Sequence, residues 1–373
     1  MPQLKYQRPR LPSHYYVLSE PPDARGEEIL RFVSDRRRIK LKGHLFREFH
    51  QYVVPLLDGR HSFEEIATEV ADLFQPEDLE AGLQLLADQN LLEDAADTPL
   101  QPDTAAAIQP QLNFFHEVSS DPRQAQEKLL QATVSVLGLA GAGASVALAL
   151  AAVRTGTVRC IDSLAVAPTD PYLSTAFSPL DIGQARAEVV AHRIRSSAPE
   201  VHAIANTAPL ESDTDISDAI RGSDFVVCCI DPGQSALAYK LNRACLQEKI
   251  VWTSCSATGL EVIVGPTVRP FETACYLCYR MRAVACTEEP EDEFSFQRMM
   301  DRRKQDDSGR RENLTFATGI AANLLGLEAL KYVSGIMPGS TTGRIAVINL
   351  VDLALTKHVV LRKPWCPACF PTL

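Results

Sequence analysis

The sequence predicts an α/β protein: a doubly wound, mostly parallel sheet preceded by a small winged-helix-like domain. Three observations carry that expectation. A strand-like run, Thr133-Val-Ser-Val-Leu137, meets Gly138, Gly141 and Gly143 and passes at once into an Ala/Leu-rich helix. Strand-like and helix-like stretches then alternate to about residue 254, the pattern of crossover connections between parallel strands. Ahead of all this, three short strands and three short helices crowd into the first ninety-odd residues.

The glycine run reads as the opening of a nucleotide-binding βαβ unit. Small residues let backbone N–H groups approach a phosphate, and a helix N-terminus supplies partial positive charge. Nineteen residues past Gly143 the strand Val158-Arg-Cys-Ile ends on Asp162, where an acid commonly takes a ribose hydroxyl. A helix is expected over 183–196 with Val189, Val190 and Ile194 inward, and a strand over 201–206. A buried strand follows from Asp224 to Asp231, then a helix over 237–248 and a strand over 250–254. Ligands are expected at the C-terminal ends of these strands.

Composition narrows the function classes. The chain has 373 residues, 23% charged and 46% hydrophobic, with a net charge of −10. That balance describes an ordinary globular protein and excludes nucleic acid as the main partner, since phosphate binding needs a basic face. No apolar run reaches the roughly 18 residues of a membrane span, and the N-terminus lacks a signal-peptide core, so a cytoplasmic protein is expected. Its ten cysteines then read as thiols or metal ligands.

In the N-terminal segment, strands are expected at 15–19, 28–33 and 38–42. His44–Leu57 reads as a helix with Leu45, Phe49, Tyr52, Val53 and Leu56 on one face, stopped by Asp58-Gly59. Ser62-x-x-Glu65 is a capping box opening a helix that buries Phe63, Ile66, Val70 and Leu73. Pro76 suits the first turn of a third helix carrying Leu79, Leu83 and Leu86. A DNA-reading winged helix fits poorly, because Glu77, Asp78, Glu80 and Asp88 make that helix too acidic for a groove. Residues 95–113 are turn-rich at their start, polar and without period, and read as a linker.

The strongest motif is a pair of pairs. Cys275-x-x-Cys278 and Cys366-x-x-Cys369 are separated by 87 residues. Each short loop aims two thiolates at one ion, and four complete a closed tetrahedral zinc site, structural because no position remains for water. Cys160, Cys228, Cys229, Cys245 and Cys255 lie in apolar stretches and read as core thiols.

Two resemblances follow. The run Leu56-Leu-Asp-Gly-Arg-His-Ser-Phe-Glu-Glu-Ile66, with a helix ending near Gln89-Asn-Leu-Leu92, resembles the PqqD-like recognition domain of ribosomal-peptide maturation proteins. There a leader peptide adds a strand to a sheet edge and packs on the third helix. The matching positions are Arg38, Ile39, Lys40 and Leu41 on the strand and Leu79, Leu83 and Leu86 on the helix. Its basic residues suit an acidic leader. The glycine loop, the two strand-end acids and the paired CxxC motifs together resemble the ThiF/MoeB superfamily over about 133–370. Those Rossmann-like proteins activate a peptide C-terminal carboxylate with ATP, and usually pair as homodimers.

Position by position, that resemblance implies a nucleotide site at Gly138, Gly141, Gly143, Asp162, Arg186 and Asp231. Several of its parts are altered. Ala140 stands at the second glycine, Leu164 at the ribose-binding acid, and Leu173 at the arginine of the family's N-L-x-R-Q segment. Arg186 replaces the catalytic lysine, while Asp231 matches the magnesium-binding acid. Arg186 and Asp231 are therefore the candidates for catalysis with ATP and Mg, and the changed set implies a degenerate site. Val264-Gly-Pro-Thr-Val, Ala274-Cys-Tyr-Leu-Cys, Asp307-Ser-Gly-Arg-Arg-Glu-Asn-Leu and Val360-Leu-Arg-Lys-Pro-Trp-Cys-Pro-Ala-Cys narrow the likeness further. They resemble the leader-binding, ThiF-like partners of azoline cyclodehydratases, which implies a YcaO-type enzyme acting in trans.

The expected organisation is a PqqD-like domain over 1–94, a linker over 95–113 and a ThiF-like domain over 114–373 with a crossover loop at about 280–311. Cys286 falls in that loop, where some relatives keep a catalytic thiol. Two functions stay open: presenting a precursor's leader to an ATP-dependent cyclodehydratase, or adenylating a carboxylate of the bound precursor, as microcin- and pantocin-type enzymes do. A nicotinamide enzyme fits the loop and Asp162 but explains neither the paired CxxC nor the N-terminal segment.

Overall fold

A computed structural model describes residues 6–22, 24, 26–96, 102–119, 121–229, 235–302 and 313–370. The chain folds as two compact units, Met1–Glu127 and Lys128–Leu373.

The first unit opens with β1 (Pro9–Arg10), β2 (Tyr16–Glu20), β3 (Glu28–Val33) and β4 (Arg38–Gly43). Strands β2, β3 and β4 form an antiparallel three-stranded sheet with β3 in the middle. Then α1 (Phe46–Glu48) runs on through wider and tighter turns to Leu56, followed by α2 (Phe63–Glu69) and α3 (Pro76–Asp88). Strand β5 (Glu93–Asp94) pairs back onto β1. The Ser62–Glu65 capping box forms as expected, Glu65 N donating to Ser62 Oγ and Ser62 N to the Glu65 carboxylate.

Two helix faces differ from expectation. The inward residues of the α1 stretch are Phe46, Phe49, Val53 and Leu57, while Leu45 and Tyr52 are exposed. Phe49 and Val53 face inward as expected and Leu56 packs half-buried on the same core, while Leu45 stands before the helix in a left-handed conformation (φ 59°). Likewise Phe74, not Leu73, closes α2's side of the core, because the helix ends at Glu69 and the chain turns after it. The stretch expected as a linker holds α4 (Pro102–Ala107) and α5 (Gln109–His116). Ile108, Leu112 and Phe115 are buried on one side of it. Helix α6 (Pro122–Gln131) leads into the second unit.

The second unit begins with β6 (Thr133–Leu137), α7 (Ala142–Ala152), β7 (Thr157–Ile161) and α8 (Asp170–Leu173). Next come α9 (Arg186–Ser197), β8 (His202–Asn206), α10 (Asp213–Ile220), β9 (Phe225–Cys228) and α11 (Ser235–Glu248). After them stand β10 (Val251–Thr258), β11 (Glu261–Val264), α12 (Tyr276–Ala285) and α13 (Pro290–Arg302). The last elements are α14 (Thr315–Ser334), β12 (Arg344–Asn349) and β13 (Leu355–Val359).

The sheet runs β13-β12-β11-β10-β9-β6-β7-β8. From β10 to β8 every pairing is parallel, and β6 has its neighbours on opposite sides, β7 and β9, so the glycine loop leaves the sheet at its switch point. Beyond β10 the sheet is antiparallel. The reversal is local: Gly259 (φ 60°) and Leu260 join paired Thr258 and Glu261, with glycine first as a tight hairpin turn requires. On one face α7, α9 and α14 cover a core that includes Val134, Val136, Val146, Leu150, Phe225 and Leu325. The other face buries Trp252, Ile216, Leu241 and the four cysteines of the CxxC pairs.

Candidate nucleotide loop, zinc centre and peptide edge

Each glycine of the loop has a distinct duty. Gly138 turns the chain off β6 at φ 78°, its N–H donating to Ile161 O. Gly143 is required by packing, since a methyl group there would sit 1.8 Å from Gly138 O. Gly141 takes φ 51°, and a methyl group on it would meet Thr318 Cγ2 at 3.0 Å and lie near Leu173 Cβ. Leu173 is fixed against the loop, its carbonyl accepting from Thr318 Oγ1 at 2.6 Å.

Asp162 lies at the loop, but as a structural acceptor. Its carboxylate takes Leu139 N at 2.8 Å and Leu164 N at 2.9 Å, clamping the two strand ends together. Arg186, expected where the family has its lysine, is buried (5% exposed) and directed at Asp170, itself 1% exposed. The bond is two-pointed: Nε to Oδ2 at 2.7 Å and Nη2 to Oδ1 at 3.0 Å, with Nη1 3.6 Å from Asp162. Asp170 is held in turn by Ala167 N. Asp170 opens the segment that ends on Leu173 and Ser174, and no local spacing in the sequence pairs it with Arg186. Asp231 lies outside the described residues.

A cavity of about 320 Å³ opens beside the loop, lined by Gly138, Asp162, Ser163, Leu210, Leu237 and Lys240. Lys240 donates its ammonium to Glu211 O. The described residues do not fit a triphosphate by the superfamily's pattern. Leu173 carries no charge, and Arg186 spends its guanidinium on Asp170, where a developing phosphate charge needs fixed cations.

The four cysteines do fit a metal. Cys275 and Cys278 come from the turn into α12, and Cys366 and Cys369 from the turns after β13. Their sulfurs stand 3.8 Å (275–278), 3.7 Å (275–366) and 3.6 Å (278–369) apart, all four within 4.8 Å of one another. Four sulfurs at about 2.3 Å from a central zinc would be separated by about 3.8 Å. Burial pushes the Cys275 and Cys369 thiols up. Burial acts the same way on Cys366, but N–H groups of Cys369 and Ala368 and the neighbouring thiols outweigh it and hold that thiol down. Lys363 N also donates to Cys278 Sγ. This donor set suits a closed structural zinc. Cys286 stands apart and exposed at the end of α12. Of the expected crossover segment, α13 is described and docks through Arg280 to Glu293 at 3.0 Å, while residues 303–312 lie outside.

In the first unit, β4 has β3 as its one strand partner among the described residues, leaving its other edge open. Arg38, Lys40 and Lys42 are exposed on one side, and Ile39 and Leu41 are half-buried against the core on the other. Leu79, Leu83 and Leu86 differ from the expected groove: they are sealed in that core at about 1% exposure or less. Gly82 between them sits against Phe49, which explains the close approach of α3. The leucine of α3 that faces outward is Leu85, at 48% exposure. Its signal in the sequence is that it falls off the stripe made by the other three.

A mixed sheet with a glycine loop at its switch point, a buried four-cysteine cluster and a small N-terminal domain defines a class of Rossmann-like α/β proteins. The chain belongs to the ThiF family, whose pattern matches residues 109–368. It is similar to the sulfur carrier protein ThiS adenylyltransferase of Escherichia coli (strain K12), 25% identical over 245 residues, 65% of this chain and 88% of that protein. Its fold is also that of a solved structure, the microcin C7 biosynthetic enzyme MccB in complex with N-formylated MccA. The TM-score is 0.69 at 15% identity, over 97% of this chain and 99% of that one. E. coli MccB with ATP gives 0.68 at 16% identity, over the same shares. Among the described residues no helix is long and apolar enough to cross a membrane.

Proposed function

We propose that this protein binds the leader of a ribosomally made precursor peptide along β4 and presents it to an ATP-dependent, YcaO-type cyclodehydratase acting in trans. The observation that supports presentation over catalysis is the buried Arg186–Asp170 bond. It takes the side chain at the family's lysine position out of reach of a ligand. The basic row Arg38, Lys40 and Lys42 on an open strand edge supports an acidic, extended peptide, bound by backbone pairing with side chains setting the register. Zinc ties the C-terminal turns to α12, and a homodimer is part of the reading.

A second reading has its own support, and the comparisons favour it. E. coli MccB has been solved with ATP and with the peptide MccA, and the curated relative is an adenylyltransferase. In that reading the present protein adenylates a carboxylate of its bound precursor with Asp231 holding magnesium.

One experiment separates them: ATP binding and pyrophosphate release by the purified protein, with and without a candidate precursor. Leader binding without ATP turnover, weakened by Arg38→Glu/Lys40→Glu, supports presentation. Pyrophosphate release abolished by Asp231→Ala overturns it in favour of adenylation.

A further inference from the structure

At the end of β9 successive cysteines serve opposite layers of the fold. Cys228 packs with Cys245 and Trp252 in one core, and Cys229 belongs to the other. Cys228 and Cys245 are sealed, and burial, then the nearby Cys228, pushes the Cys245 thiol well up. Cys229 is different. Its Sγ lies 3.9 Å from Cys255 Sγ, and Cys255 is half-buried rather than closed off.

The sheet register explains the meeting. Cys228 is paired with Ser254 in the parallel ladder, so the next residues, Cys229 and Cys255, stand side by side on one face. Neighbouring strands run about 4.8 Å apart, within the roughly 4.4–6.8 Å between Cα atoms that a disulfide spans. Cys229 also adjoins the glycine loop. Cys229 N donates to Leu137 O, and a methyl group on Gly143 would come 3.2 Å from Cys229 Cβ.

We propose that Cys229 and Cys255 are a redox-active dithiol that small disulfides oxidise to an intramolecular cystine beside the glycine loop. The more accessible Cys255 thiolate attacks one sulfur of the incoming disulfide, forming a mixed disulfide and expelling one thiolate. The Cys229 thiolate then attacks Cys255 Sγ, forming the protein S–S bond and expelling the second. Two electrons pass to the small disulfide, and the two cysteine protons end on the two released thiols. A cystine here ties the end of β9 to the middle of β10, next to Gly143 of the glycine loop. The zinc cysteines belong to the opposite core and take no part.

The test is exposure of the full-length, zinc-loaded protein to oxidised glutathione, with peptide mapping by mass spectrometry. The expected product is a cross-linked pair of peptides carrying Cys229 and Cys255, two hydrogens lighter and restored by dithiothreitol. Cys229→Ser should stop at a glutathione adduct on Cys255, and Cys255→Ser should leave Cys229 unmodified. Exposed Cys286 reports that the reagent is active. The proposal is overturned if Cys286 is modified while the pair stays reduced. It is equally overturned if the wild-type protein accumulates the Cys255 adduct with Cys229 still free.

Discussion

Arg186 and Asp170 face each other as a fork on a fork, 2.7 and 3.0 Å apart, with both side chains almost wholly out of water. Breaking such a pair leaves a buried charge and costs about 3–5 kcal/mol, whereas replacing both partners by apolar residues is often near neutral. Asp170→Leu should therefore lower the urea midpoint sharply, and Asp170→Leu/Arg186→Met should regain most of it. A single-variant loss under about 1 kcal/mol would mean that the bond does not hold the region together.

The glycine loop gives a steric prediction with an internal control. Gly143→Ala drives a methyl group onto Gly138 O, whereas Gly319 in α14 has nothing within 4 Å of the added carbon. Gly143→Ala should cost more than about 3 kcal/mol, in the exceptional range for one substitution. Gly319→Ala should be neutral or stabilise by up to about 1 kcal/mol through helix propensity. Chemical denaturation of the two variants side by side checks both.

The cysteine cluster should carry one zinc per chain by elemental analysis. Chelation, or Cys278→Ser, should lower the melting temperature by roughly 10 °C, as a loss of about 3 kcal/mol does in a domain of this size. A metal-free preparation that melts at the same temperature would remove zinc from the account.

His116 predicts a pH effect in the first unit. Burial, then the nearby His14 and Arg37, push its pKa down from 6.5 to about 4, and Glu117 opposes them weakly. The unfolded chain then takes up a proton in this window that the folded chain refuses, so stability is complete above pH 6.5 and falls as pH drops towards 4. His14 stands beside it, its Nε2 3.1 Å from the Glu117 carboxylate. Hydrogen exchange in α5 should quicken over that interval, and His116→Phe should flatten the dependence. An unchanged slope in the variant would assign the effect to other groups.

What could be read from the sequence was whatever is written locally. The strand–glycine–helix junction, the Ser62 capping box and the CxxC spacing each need only neighbours along the chain, and each formed. What escaped depends on distance or on a single hinge. Asp170 meets Arg186 across sixteen residues, and neither residue alone signals the bond. The antiparallel half of the sheet turns on Gly259-Leu260, two residues within an otherwise continuous strand pattern. In the first helical stretch Phe49 and Val53 turn inward as their spacing says, but Leu45 lies outside the helix on a left-handed backbone and Phe46 takes the inward place beside it. In the expected linker, Ile108, Leu112 and Phe115 do carry a helical period, masked by the Pro- and Ala-rich residues before it.

The four-cysteine cluster also acts on the chain as a polymer. Cys278 and Cys366 bracket 87 residues, including α13, α14, β12 and β13, so a bound ion would close a very large ring. By the loop-closure relation used for disulfides, fastening a ring of that size removes about 4–5 kcal/mol of disorder from the unfolded state. The final strands would then depend on an ion none of their own side chains touch, and chelation would be felt first in α14 and the outer sheet.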